Sequence, residues 1–176
     1  MDAGTTALLG AAVGSLATLG AAVVTGRVAA HAQFAQGRRQ HRRDAYANYL
    51  AAVYDRDVAL DAVRDALRAD RPDLRAVDAR MEQFRSRARD VHRVAELVIL
   101  EGPESVVRAL YRAVHAADDV AEVVGRMVRD AHAGETSRKA ADLALAAERE
   151  HPSYQSVKAL RAAASDVLGD RRIRTS

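Results

Sequence analysis

The chain is predicted to be all-α: an N-terminal transmembrane helix continuing into an antiparallel helical bundle of about four long helices. Three observations predict this. Only three prolines, five tyrosines and two phenylalanines stand among many strong helix formers, a composition that favours helix over sheet. No charge occurs between Ala3 and Gly26. Beyond Asp44, apolar residues recur at alternating spacings of three and four, the repeat of a buried helical face. With 176 residues there is room for one compact domain and an appendage. The predicted divisions are a transmembrane helix at 1–26, a basic juxtamembrane segment at 27–43, a cytoplasmic bundle at 44–170 and a basic tail at 171–176.

In the first element, the charge-free stretch at a rise of about 1.5 Å per residue reaches roughly 36 Å as helix, enough for a hydrocarbon core of about 30 Å. Its strongly apolar members are Leu8, Leu9, Val13, Leu16, Leu19, Val23 and Val24; the remainder is mostly Ala and Gly, so insertion is only modestly favourable. The small residues Gly10, Gly14, Thr18 and Ala22 fall at fourfold spacing. A stripe of this kind lets helix backbones approach closely in lipid, and self-association into a homo-oligomer is the expectation attached to it.

Five arginines (27, 38, 39, 42 and 43) and two histidines, with no acid, follow between Arg27 and Arg43. From Asp44 to Asp170 the balance reverses, with 19 basic against 23 acidic residues. The formal charge of +3 is therefore concentrated beside the apolar stretch. By the positive-inside rule this places the N-terminus outside and the bundle in the cytoplasm. A cleaved signal peptide carries its positive charges ahead of the apolar segment, so no cleavage is expected. Arg38, Arg39, Arg42 and Arg43 are the predicted contacts to anionic lipid, each worth about 1 kcal/mol near a charged surface. Nucleic acid is not an expected partner: with Phe34 and Tyr46 alone available to stack, the cluster supports little beyond a salt-sensitive contact.

The first bundle helix is expected to reach about Ala69, with Tyr46, Tyr49, Val53, Arg56, Leu60, Val63 and Leu67 as its inner face. Arg56 interrupts that stripe and is read first as a snorkelling side chain, with a buried partnership to an acid as the alternative. Pro72 and Asp73 open the second helix, whose heptad-spaced inner face is Leu74, Val77, Met81, Phe84, Ala88, Val91, Ala95 and Val98. Gly102 is expected in the left-handed position that ends it, with Pro103 starting the next. The third helix follows with Val107, Leu110, Val114, Ala117, Ala121, Val124, Val128 and Ala131, and stops near Gly134. Thr136 or Ser137 is the expected cap of a fourth helix. Its inner face is read as Leu143, Ala147, Tyr154, Val157, Leu160, Ala164 and Val167, with a kink or break at His151-Pro152. Short connections favour up-down neighbours.

The run Arg43-Asp44-Ala45-Tyr46-Ala47-Asn48-Tyr49-Leu50 after the apolar helix, with Val98-Ile99-Leu100-Glu101-Gly102-Pro103-Glu104-Ser105-Val106 further on, resembles small actinobacterial proteins that carry an N-terminal membrane anchor and a helical bundle. The resemblance covers most of the chain and implies architecture. It brings no catalytic residues.

The absence of cysteine removes disulfides, thiolate catalysis and CxxC zinc sites. His115, Asp118, Asp119 and Glu122 share one helix face, but bundle metal sites draw inward ligands from several helices, and the single Glu-x-x-His, Glu148 to His151, adjoins a proline. There is no phosphate loop, GxSxG elbow or HExxH. No metal, cofactor or catalytic residue is predicted, and the chain is not expected to be an enzyme. The expected function is a membrane-anchored interaction or scaffold module for a protein partner the sequence does not name. The alternatives are a membrane-active or pore-forming effector and a soluble basic helical regulator.

Overall fold

The computed structural model describes the backbone over residues 3–169 and the side chains over 36–169 together with Gln33. Four helices account for nearly all of it: α1 (Ala3–Arg68), α2 (Leu74–Glu101), α3 (Glu104–His132) and α4 (Lys139–Leu168). Two compact units result, Met1–His41 and Arg42–Ser176. The predicted transmembrane helix at 1–26, with Gly10, Gly14, Thr18 and Ala22, lies outside the residues whose side chains are described. Among the described residues no helix is long and apolar enough to cross a membrane.

The second unit is an up-down bundle, as its cross-helix hydrogen bonds show. Arg42 at the start of this unit donates to the Glu101 carbonyl at the end of α2, and Arg80 near the start of α2 donates to the Ala62 carbonyl. Those two helices are therefore antiparallel. Lys139 to the Ala69 carbonyl and Arg64 to Glu150 do the same for α1 and α4. The pairs Arg126–Asp142 and Arg149–Asp119 do it for α3 and α4, which make the closest backbone approach in the bundle. That seam is rich in alanine, Ala109, Ala113 and Ala117 on α3 and Ala146 and Ala164 on α4 being buried, and small side chains let helix axes come together.

Every residue of the predicted α1 face, from Tyr46 to Leu67, is buried. Six of the eight predicted on α2 are buried, with Leu74 and Ala88 half-exposed. On α3 the buried face is displaced from the expected one: Leu110, Ala117, Val124 and Val128 are buried as read, Val107, Val114, Ala121 and Ala131 are only half-buried, and Val106, Ala109, Ala113, Val120, Val123 and Met127 are buried instead, because this helix packs on α4 along the flank the heptad reading left open. On α4 the register differs. Ala146, rather than Ala147, is buried, and Tyr154 is exposed.

The helix ends also correct the reading. Asp73 caps α2 itself, accepting from the Arg75 and Ala76 amides at 3.0 and 3.4 Å. Gly102 is extended (φ −85°, ψ 148°), not left-handed; the following Pro103 bars the helical region to its predecessor and drives it to high ψ. Left-handed glycines end α3 and α4 instead, Gly134 (φ 70°) and Gly169 (φ 81°); at the first the Glu135 amide donates to the Asp130 carbonyl and the Gly134 amide to that of Ala131, a Schellman closure. Neither Thr136 nor Ser137 caps α4; the turn closes from the Lys139 amide to the Thr136 carbonyl and the helix begins after Arg138. It then passes through Pro152 without interruption.

The interior holds two apolar clusters. One gathers Leu60, Val63, Leu67, Val77, Phe84 and Val124 with their neighbours; the other gathers Tyr49, Val53, Val91, Val98, Leu110 and Leu160 with theirs. Arg56, Ala113 and Ala117 are buried but belong to neither. They mark a waist of small and polar side chains at mid-height.

Candidate functional site

The predicted lipid-contacting arginines fall on both sides of the unit boundary. Arg38 and Arg39 are exposed in the first unit. In the second, Arg43 is exposed while Arg42 is half-buried, its Nε donating to the Glu101 carbonyl at 2.7 Å. That bond satisfies one of the carbonyls a helix C-terminus leaves open and places a cation at the negative end of the α2 dipole.

Arg56 is buried rather than snorkelling, 7 % exposed, with Nε and Nη2 both donating to Asp57 Oδ1 at 3.0 and 2.6 Å. Its partner is the adjacent residue, so the cation is neutralised without reaching another helix. Burial, outweighing that arginine, raises the Asp57 carboxyl above its ordinary range. Two tyrosine hydroxyls nearby in the core, of Tyr46 and Tyr49, are buried without a hydrogen-bond partner, and burial raises both phenols above their usual value.

Below the waist a cleft of about 540 Å³ opens between α1 and α4, with α3 as its back wall. It exists because α4 buries no side chain between Ala146 and Leu160, the stretch containing Pro152. Leu60, Val120 and Val157 form an apolar floor, and Asp57, Asp61, Asp65 and Glu150 stand around it. Arg64, also 7 % exposed, pairs through Nη1 with both Asp61 and Glu150, while its Nε is sealed off without a partner. Tyr154 stands at the rim, 66 % exposed.

A second cleft of about 350 Å³ sits at the end of the bundle where the α1–α2 and α3–α4 connections meet. Several of its polar groups are matched within the fold. Asp142, 5 % exposed, accepts from Arg126 Nε and Nη2 at 3.1 and 2.7 Å, and that hydrogen-bonded pairing lowers its carboxyl below the ordinary range and raises the guanidinium. Asp130 receives Arg138, and Glu135 accepts from the Ser137 amide, which lowers its carboxyl in turn.

His115, Asp118, Asp119 and Glu122 are exposed, as are Glu148 and His151. Among the described residues no group of three or more His, Asp or Glu is placed to hold a metal ion. The sequence reading missed the Arg64 cleft and the Arg126–Asp142 pair. Both depend on which helices become neighbours, and the one local signal was a set of acids at fourfold spacing (57, 61 and 65) on the flank of the α1 stripe.

Over the described residues, fold and site together define an all-α protein of four helices whose bundle has a lateral cleft. No family model matches the chain, and neither does any curated protein or solved structure.

Proposed function

We infer that the chain is a single-pass membrane-anchored protein whose cytoplasmic bundle recruits or scaffolds a protein partner, acting by binding rather than by catalysis. One observation carries this reading: a charge-free stretch from Ala3 to Gly26 followed within 17 residues by five arginines and no acid. Such a stretch is favourable in lipid, and the arginines behind it hold the orientation by attraction to anionic headgroups. The small residues Gly10, Gly14, Thr18 and Ala22 add a face through which anchors associate. Arg38, Arg39 and Arg43 present unburied charge for the headgroup contact, with Arg42 contributing beside its bond to α2.

The test is a carbonate wash of membranes from cells expressing the tagged chain, followed by detergent extraction and pull-down. The chain is expected in the washed pellet and the extract, as a crosslinkable oligomer with a bound protein. Recovery as a freely soluble monomer would remove the anchor, the topology and the scaffold role together. The same small-residue stripe also supports a second reading, a membrane-active effector assembled from the anchors. Expression toxicity with loss of membrane potential, abolished by Gly14→Leu, is the outcome specific to that reading.

A further inference from the structure

We propose that the cleft between α1 and α4 binds an organic cation with an apolar body, of the size and kind of an aryl quaternary amine. The cleft, at about 540 Å³, lies within the range that takes small molecules. Its floor of Leu60, Val120 and Val157 has no polar group to satisfy, so an apolar body displaces water there at a gain. Charge selects the rest of the ligand. Four carboxylates line the cleft against the guanidinium groups of Arg64 and Arg68. Asp57 is matched by Arg56 and Asp65 by Arg68, which leaves Asp61 and Glu150 sharing the single cation of Arg64. One negative charge is thus uncompensated at the open wall of the cleft, where Asp61 and Glu150 are 64 and 45 % exposed.

An anion is disfavoured on the same geometry. Arg64 is turned by Nη1 toward its two acids and its Nε is closed to solvent, and the exposed guanidinium of Arg68 is paired with Asp65, so an arriving carboxylate or phosphate would meet a wall of net negative charge. Tyr154 supplies the remaining recognition element. Its ring stands at the rim largely in water, where it gains nothing from packing, and the face of such a ring attracts a cation, the more so once desolvated. Carboxylate and aromatic face together recognise a quaternary ammonium, which needs no hydrogen-bond acceptor.

Isothermal titration of the full-length chain in nonionic detergent with benzyltrimethylammonium tests the proposal, with benzenesulfonate as the aryl anion of similar size. The cation is expected to bind saturably and the anion not to bind. Tyr154→Ala should weaken the cation roughly tenfold, and Asp61→Asn should weaken it as well. Tyr54→Ala removes an exposed ring that does not line the cleft and should leave binding unchanged. Far-UV circular dichroism of each variant confirms that the bundle is intact. Equal uptake of benzenesulfonate, absence of saturable cation binding, or an unchanged affinity in folded Tyr154→Ala would each overturn the assignment. None of these outcomes depends on whether residues 1–26 cross a membrane.

Discussion

Asp142 and Arg126 are the pair of charges on which the α3–α4 seam depends most directly. Two hydrogen bonds join them across helices, and Asp142 is almost wholly buried. Asp142→Asn keeps the shape but removes the charge, and should cost about 1–3 kcal/mol at neutral pH, read as a lower midpoint in urea. The pH dependence has a definite sign. The folded carboxyl titrates below its ordinary value of 3.8, so its stabilisation is complete above that value and disappears as pH falls through the folded value. Thermal melts of the native chain between pH 5 and acid should fall more steeply than those of Asp142→Asn. Asp57 acts oppositely: its carboxyl is raised above 3.8, so its contribution is present below that value and is lost as pH rises through the folded one. Tyr49 offers a substitution expected to help. Its buried hydroxyl has no partner, and a buried unsatisfied hydroxyl costs about 1–3 kcal/mol. Tyr49→Phe should therefore raise the urea midpoint, and a lowered midpoint would show that the hydroxyl is satisfied by water. None of these residues announced its role in the sequence: Tyr49 was legible as core from its spacing, but an orphaned hydroxyl or a cross-helix pair depends on neighbours that periodicity does not specify.

At the scale of the helix, the ends and the one internal proline carry the informative departures. A Cβ on Gly102 would stand 2.6 Å from the Val98 carbonyl oxygen, closer than real contacts allow, so Gly102→Ala should destabilise the bundle by about 1–3 kcal/mol. The cause is that contact rather than handedness, since φ is negative there. Pro152 lies inside α4 and is exposed; it supplies no amide for the carbonyl four residues earlier, an interior cost of about 3 kcal/mol. Pro152→Ala should stabilise α4 by up to that amount in denaturant unfolding. The four helices, their order and most of the inner faces of α1 and α2 were legible, because a 3.6-residue period read against a single core is a local signal. The inner face of α3 was placed on one flank because it meets two neighbours, and that of α4 held at Leu160 and Ala164 but missed by one residue at Ala146, because between those two ends the helix buries no side chain. The cleft opens there, and a pattern search for buried faces has no means of finding a face that is left uncovered.

At the scale of the whole molecule, the residues that carry the two proposed tasks fall in different units. The unit Arg42–Ser176 contains both apolar clusters and the cross-helix hydrogen bonds from Arg42 to Glu101 and from Lys139 to Ala69 that close its two ends. The charge-free stretch lies in the other unit. A core of this kind is enough for independent folding at the size of an ordinary domain, although its alanine-rich seam buries little area per residue. A fragment spanning residues 42–176 is therefore expected to fold alone, with a helical circular dichroism spectrum and a single cooperative melt. It should remain in the supernatant where the full chain sediments with carbonate-washed membranes. The two chains should bind benzyltrimethylammonium alike, because the cleft residues all belong to the second unit. The two readings then fail separately. A fragment that still sediments after carbonate would locate membrane attachment in the bundle rather than in the charge-free stretch. A fragment that melts without cooperativity would show that the first 41 residues complete the core, and the division into anchor and bundle would have to be withdrawn.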